Sequence, residues 1–251
     1  MLPTAGWSNP KAITETLLKH ERITVRSYSN LLSMKSQGFE HQLVVETSDG
    51  LNTINANTVI FACALESSQF APMNIPLRPV RGQVTELCSD FKLKVPICGN
   101  AYLTPSDGMR MTCGATYQPE SVDYEVDPKD NNINLNATNQ LLAERKLKDV
   151  DILSQRVSIR ATTPDYAPVA GQLADPEIWS RALAPSKHDA NYQPPAPLPF
   201  SPGLFILTGQ GSKGTLTAPV TAEMVISQVL GEVLPVSNCV RDALAPDRFF
   251  R

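Results

Sequence analysis

The chain has 251 residues, 22 Lys+Arg against 25 Asp+Glu, a formal charge of −3, and 42% hydrophobic with 19% charged residues. This is an ordinary globular composition, and the length suffices to bury a core without disulfide staples. It excludes a broad nonspecific nucleic-acid footprint, which needs a surplus of Lys and Arg, and no apolar run approaches the roughly 18 residues of a membrane span.

Met1 to Trp7 has neither the basic nor the apolar region of a secretory signal, so a cytoplasmic protein is expected. Asn9 is a fair N-cap and Pro10 suits a first turn, which predicts a helix to Lys19 with Ile13, Leu17 and Leu18 at helical spacing. Ile23–Arg26, Gln42–Thr47 and Thr58–Ala64 are β-rich, with a Ser48-Asp49-Gly50 turn, and predict a small meander feeding one buried strand. Pro72, Pro76 and Pro79 then interrupt any helix and mark a crossing into a second domain.

In that domain Gly82–Leu87, Ala101–Thr104 and Met109–Tyr117 read as strands. A helix is expected over Asn136–Leu147, with Leu141, Leu142 and Leu147 facing inward, and a further strand over Gln155–Ala161. Ala184 to Pro202, rich in proline, reads as an irregular surface excursion. The chain returns through a buried strand, Gly203–Thr208, a glycine-rich turn from Gly209 to Gly214, and a helix from Thr217 or Ala218 to Leu230 with Gly231 past its end. The expected division is 1–71, 72–201 and 202–251.

The five cysteines, Cys63, Cys88, Cys98, Cys113 and Cys239, are odd in number and form no CxxC pair. They read as reduced, mostly buried thiols, and no metal site is expected. His20, His41 and His188 fall in no motif and read as surface or structural residues. A buried strand, then Gly209-x-Gly211-x-x-Gly214, then a helix superficially matches a dinucleotide fingerprint. Its place near the C-terminus leaves no room for the βαβ unit and acidic ribose ligand, and a tight strand-to-helix loop explains the pattern as well.

Ordered blocks carry a resemblance. They are Ala5-Gly6-Trp7-Ser8-Asn9-Pro10, Arg78-Pro79-Val80-Arg81-Gly82-Gln83-Val84, Ala101 to Pro105 with Gly114-Ala115-Thr116-Tyr117, Val157 to Gly171, and Gly203 to Pro219. They resemble, in order, the GGW-x-x-P helix start, the domain crossing, the YLTP and GATY strands, the arginine-bearing strand and the flavin-contacting segment of the D-amino acid oxidase superfamily of FAD enzymes. The tail Arg241 to Phe249 resembles the LNP-x-R ending of the branch that modifies tRNA wobble uridine.

The resemblance implies an α/β (α+β) D-amino acid oxidase-like fold. It would comprise a partial Rossmann-type FAD-binding domain lacking its first βαβ unit and a β-rich mixed-sheet substrate domain; the family's opening GxGxxG turn and acidic ribose ligand are not among these residues. It implies an FAD-dependent oxidoreductase that removes a hydride beside a secondary amine of 5-carboxymethylaminomethyl-(2-thio)uridine in tRNA, the imine then hydrolysing to glyoxylate and the aminomethyl nucleoside. Arg160 matches the carboxylate ligand, where a planar fork gives bidentate geometry, against the alternative of an ordinary salt bridge. Tyr102 matches a tyrosine closing that site, or is a core tyrosine. Lys213 stands where relatives carry arginine, and either adds charge near flavin or substrate or is simply solvated.

Cofactor contacts are implied for Ala62, Cys63, Gly209, Gly211, Ser212, Lys213, Gly214 and Thr215, with Ala64 where the family has glycine. No catalytic residue is implied. Expected partners are tRNA, with Arg78, Arg81, Arg241, Arg248 and Arg251 as candidate phosphate contacts, and a polypeptide supplying the nucleotide-binding half and a methyltransferase domain. Alternatives are a noncatalytic remnant or binding module, and a glycine- or sarcosine-type amine oxidase.

Overall fold

The computed structural model describes residues 6–105, 108–148, 150–189 and 191–250. Expectations resting on the first five residues, Ala5 included, and on Arg251 concern residues outside that set. In chain order come α1 (Pro10–Leu17), β1 (Asn30–Gln37), β2 (Glu40–Thr47), β3 (Gly50–Ala56), β4 (Val59–Phe61) and the single turn α2 (Ser67–Phe70). Then follow β5 (Arg78–Cys88), β6 (Ile97–Cys98), β7 (Tyr102–Leu103), β8 (Arg110–Gly114), β9 (Gln118–Pro119), α3 (Pro128–Leu142) and β10 (Asp151–Thr162). The remainder holds β11 (Val169–Ala174), α4 (Pro176–Ala182), β12 (Phe200–Thr208), α5 (Gly214–Leu230) and α6 (Asn238–Leu244). Among the described residues no helix is long and apolar enough to cross a membrane.

Two compact units form, one from Met1–Ile23 with Pro79–Arg160, the other from Thr24–Arg78 with Ala161–Arg251. In the first, a six-stranded sheet runs β10-β5-β8-β7-β6, with β9 also paired to β5. Its apolar core gathers Leu87, Leu103, Met111, Cys113, Leu142 and Leu147. Helix α3 starts where Asp127 accepts from the Lys129 amide ahead of Pro128, eight residues before the expected Asn136. Its inner face explains the misplacement: Asp130, Asn131, Asn134 and Thr138 are buried, so the helix carries little of the apolar periodicity that reveals one. Leu142 ends the helix and Leu147 is buried beyond it.

Helix α1 begins as expected, Asn9 Oδ1 accepting from the amides of Lys11 and Ala12 at 3.0 and 3.2 Å. None of its residues is buried, and Ile13, Leu17 and Leu18 lie on the surface.

In the second unit, β1, β2 and β3 form an antiparallel meander. Ile23–Arg26 is not a strand; the first strand is Asn30–Gln37, whose polar sequence and break in register between Leu31 and Ser33 hide the alternation. A second sheet runs β11-β12-β4, with β12 antiparallel to β11 and parallel to β4. Its core holds Phe61, Ile75, Val169, Leu173, Leu204 and Ile206, and Met224 and Val225 of α5 pack on Ala170 and Phe205. Helix α5 starts at Gly214, earlier than expected, and Gly231 closes it at φ 69°. The Pro-rich excursion holds a 3-10 turn, Ala184–Lys187, and its end belongs to β12. Of the cysteines, only Cys113 is buried; Cys63, Cys98 and Cys239 are exposed, so the expectation of mostly buried thiols fails.

Candidate functional site

The glycine-rich loop belongs to the second unit. Parallel pairing of Leu204, Phe205 and Ile206 with Val59, Ile60 and Phe61 makes β12 and β4 end on the same side, where crevices of α/β sheets bind ligands. The two strand ends are tied together, Thr208 Oγ1 donating to the Ala64 carbonyl at 2.7 Å. Ala62, Cys63 and Ala64 are exposed there, and Ala64 takes φ 50°, a left-handed conformation that favours glycine.

Gly209 and Gly211 have φ 68° and 55°, and a Cβ on them would come to 3.0 Å from Thr163 Cγ2 and 3.4 Å from Thr162 Cγ2. Gly209 is favoured by both space and backbone conformation and Gly211 by its conformation, while Gly214 is helical and needs glycine less. Ser212, Lys213 and Thr215 are exposed. Helix α5 opens with no side-chain cap and no acidic residue in its first turn. Its N-terminal amides and the positive end of its dipole suit an electron-rich or anionic group laid against a glycine-rich loop.

Arg160 and Tyr102 belong to the first unit. Along β5, Gln83 Nε2 and Thr85 Oγ1 both donate to Asn131 Oδ1 of α3, so Arg81, Gln83 and Thr85 face that helix and Gly82, Val84 and Glu86 face away. Ser154 Oγ donates to Glu86 Oε2 at 2.7 Å, which puts Ser154, Arg156, Ser158 and Arg160 of β10 on the face of Glu86. The pairing of Tyr102 and of Val84 with Gly114 brings Tyr102 to the same face. Gly82, Val84, Gly114, Arg160 and Tyr102 therefore share one face of the sheet.

Arg160 is half-buried, and its one hydrogen bond among the described residues runs from Nη1 to the Thr116 carbonyl at 3.5 Å. Among the described residues it forms no salt bridge. Burial lowers its pKa, opposed by the hydroxyls of Tyr102 and Tyr117. Burial likewise raises the Tyr102 pKa, while Arg160 and Arg156 pull it down. An uncompensated guanidinium beside a neutral phenol is an arrangement that accepts a carboxylate. Gly82, Tyr117 and Arg156 were given no role from sequence; counting in twos from Arg160 would have found Arg156, but nothing local marks Tyr117 as its neighbour.

Two candidate phosphate contacts are otherwise engaged. Arg81 is 2% exposed and bonds Asp130 Oδ2 at 2.6 Å, the Asp123 carbonyl at 3.0 Å, the Glu125 carbonyl and Gln118, so it has nothing to offer RNA. Arg248 grips Asp165 at 2.9 and 3.2 Å and donates to the carbonyls of Leu244, Ala245 and Ala167. It is a clamp on the tail. Arg78 is exposed, and Arg241 is partly exposed beside Asp242.

Residues 1–228 match the family described as FAD dependent oxidoreductase (DAO). The chain is 33% identical over 257 residues to the tRNA 5-methylaminomethyl-2-thiouridine biosynthesis bifunctional protein MnmC of Ectopseudomonas mendocina (strain ymp), covering 98% of the chain and 39% of that protein. It is 32% identical, with the same coverage, to the protein of that name from Pseudomonas putida (strain GB-1). The chain thus spans about two fifths of the length of the curated relatives it matches. Among solved structures it is similar to glycine oxidase from Geobacillus kaustophilus, at TM-score 0.65 and 19% identity over 86% of the chain and 51% of that enzyme. It is also similar to L-proline dehydrogenase from P. horikoshii, at TM-score 0.65 and 19% identity over 91% and 55%. These likenesses show a shared mixed α/β fold.

Proposed function

Because the chain belongs to the FAD dependent oxidoreductase family, a D-amino acid oxidase-like fold, we propose that it carries the flavin loop and substrate niche of an oxidase acting on the secondary amine of 5-carboxymethylaminomethyl-(2-thio)uridine at the tRNA wobble position. The products are glyoxylate and the aminomethyl nucleoside. The observation that carries this reading is the half-buried Arg160, which has no acidic partner among the described residues. A desolvated, unpaired charge is costly, and a ligand carboxylate is what removes the cost. The names of the curated relatives support the nucleoside side of the proposal.

In this reading Arg160 takes the substrate carboxylate in its planar fork, and Tyr102, a phenol that burial makes still harder to ionise, donates to the same group. When bound, FAD supplies the acceptor for the hydride lost from the carbon beside the amine nitrogen. Gly209, Gly211, Ser212, Lys213, Gly214 and Thr215 would hold the flavin end of that cofactor, Ala62 and Cys63 would border it, and the α5 N-terminus would stabilise negative charge there. No side chain is assigned as general base; the residues present work by orientation and electrostatics, and water completes the hydrolysis. The pyrophosphate and ribose contacts come from other residues, in a longer protein or a partner chain. Arg78 and Arg241 are the remaining described candidates for tRNA phosphates, and a cytoplasmic setting follows from that substrate.

The test is conversion of the carboxymethylaminomethyl nucleoside in tRNA by the FAD-loaded protein, read by mass spectrometry of the nucleosides. Arg160→Ala should lower kcat/KM at least a hundredfold while the visible flavin bands persist. Unchanged turnover would remove Arg160 from the carboxylate site, and sarcosine oxidised as well as tRNA would favour a small-amine oxidase.

A further inference from the structure

Gly82 stands in the interior of β5, where glycine weakens a strand and has to be explained. Its φ lies outside the left-handed region, so the backbone does not require it. Space does. A Cβ built at position 82 would lie 2.5 Å from Nη2 and 2.6 Å from Cζ of Arg160, and would also overlap Nη1. Three atoms of one planar head meet the same point, so the guanidinium lies across the Cα of Gly82 rather than touching it with one tip.

We propose that Gly82 is a positioning residue, the bare seat that sets the height and tilt of the Arg160 fork presented to a substrate carboxylate. This rests on the reading of Arg160 as the carboxylate ligand. The strand beneath the seat is fixed. Arg81 is held by Asp130, and Gln83 by Thr116, Asp127 and Asn131, so β5 has little freedom to retreat from a new methyl group. Among the described residues the head of Arg160 has only the 3.5 Å bond to the Thr116 carbonyl and no acidic partner to hold it elsewhere. A side chain at position 82 therefore displaces the guanidinium while the sheet stays in place.

The experiment is a double-mutant cycle of Gly82→Ala and Arg160→Lys on the purified chain, with calorimetric binding of 5-carboxymethylaminomethyluridine and of 5-aminomethyluridine, which lacks the carboxylate. Lysine has no planar head to seat. Gly82→Ala should weaken the carboxylate nucleoside at least tenfold in the wild-type background, less than twofold in the Arg160→Lys background, and leave the aminomethyl nucleoside unaffected. An equal loss in both backgrounds, or none in either when Arg160→Ala itself abolishes the preference for the carboxylate nucleoside, overturns the seat. The Arg160 Nε–Hε resonance, assigned by its disappearance in Arg160→Lys, decides the seat without any ligand: it should shift in Gly82→Ala, and an unmoved resonance overturns the proposal. If Arg160→Ala leaves the preference for the carboxylate nucleoside unchanged while that resonance shifts, the seat stands and the assignment of Arg160 as carboxylate ligand fails.

Discussion

Arg81 and Arg160 stand on adjacent strands of one sheet and point to opposite faces. The guanidinium of Arg81 is closed in: Asp130 neutralises it, backbone carbonyls of Asp123 and Glu125 take further donors, and Gln83, Thr116, Asn131 and Asn134 extend the polar network under α3. That of Arg160, half-buried on the other face, has among the described residues one long bond to a carbonyl and no counter-charge. The same side chain, a strand apart, is part of the architecture in one place and an open valence in the other. Burial and partners decide which, because a desolvated charge has to be satisfied by protein or by ligand.

Removing the closed arginine should give the largest effect. Arg81→Ala leaves Asp130 buried and unpaired, and should cost roughly 3–5 kcal/mol in urea unfolding; a loss below about 1 kcal/mol would erase the contrast. Arg248 is a second closed arginine, at the chain's tail. Arg248→Ala should cost about 2 kcal/mol, as loss of charge-assisted bonds does, and should return Asp165 toward the ordinary carboxylate range by NMR titration.

Arg160→Met should change stability by no more than about 1 kcal/mol, in the stabilising direction, since an uncompensated charge leaves a half-buried place. A large destabilisation would show Arg160 to be structural after all. The smallest effect is in acid. The bidentate grip of Arg248, helped by Thr163 and the Ala167 amide, holds Asp165 down at about 2. A folded pKa below the usual carboxylate value of about 3.9 means that this contribution is whole above that pH and fades as pH falls through about 2. The Asp165 carbon resonance should follow that window, and should lose the shift in Arg248→Ala.

Ordered local motifs determined much of this protein from sequence alone. Asn9 and Pro10 specify the start of α1, Gly231 the end of α5, and the apolar run Val59–Phe61 and the Gly203–Thr208 segment the strands that frame the glycine loop, because caps, turns and apolar runs are written in a few adjacent residues. Blocks such as Arg78–Val84 and Val157–Gly171 likewise carried the family. Helix α3 was misplaced because it buries Asp130, Asn131 and Asn134, residues that advertise a surface. The matched block singled out Arg160, but only the tertiary structure showed that Arg81 and Arg248 are bonded into the protein, because their acidic partners lie 49 and 83 residues away in sequence. Only it showed that Gly82 lies beneath a guanidinium, because strand pairing, not chain order, brings those two residues together.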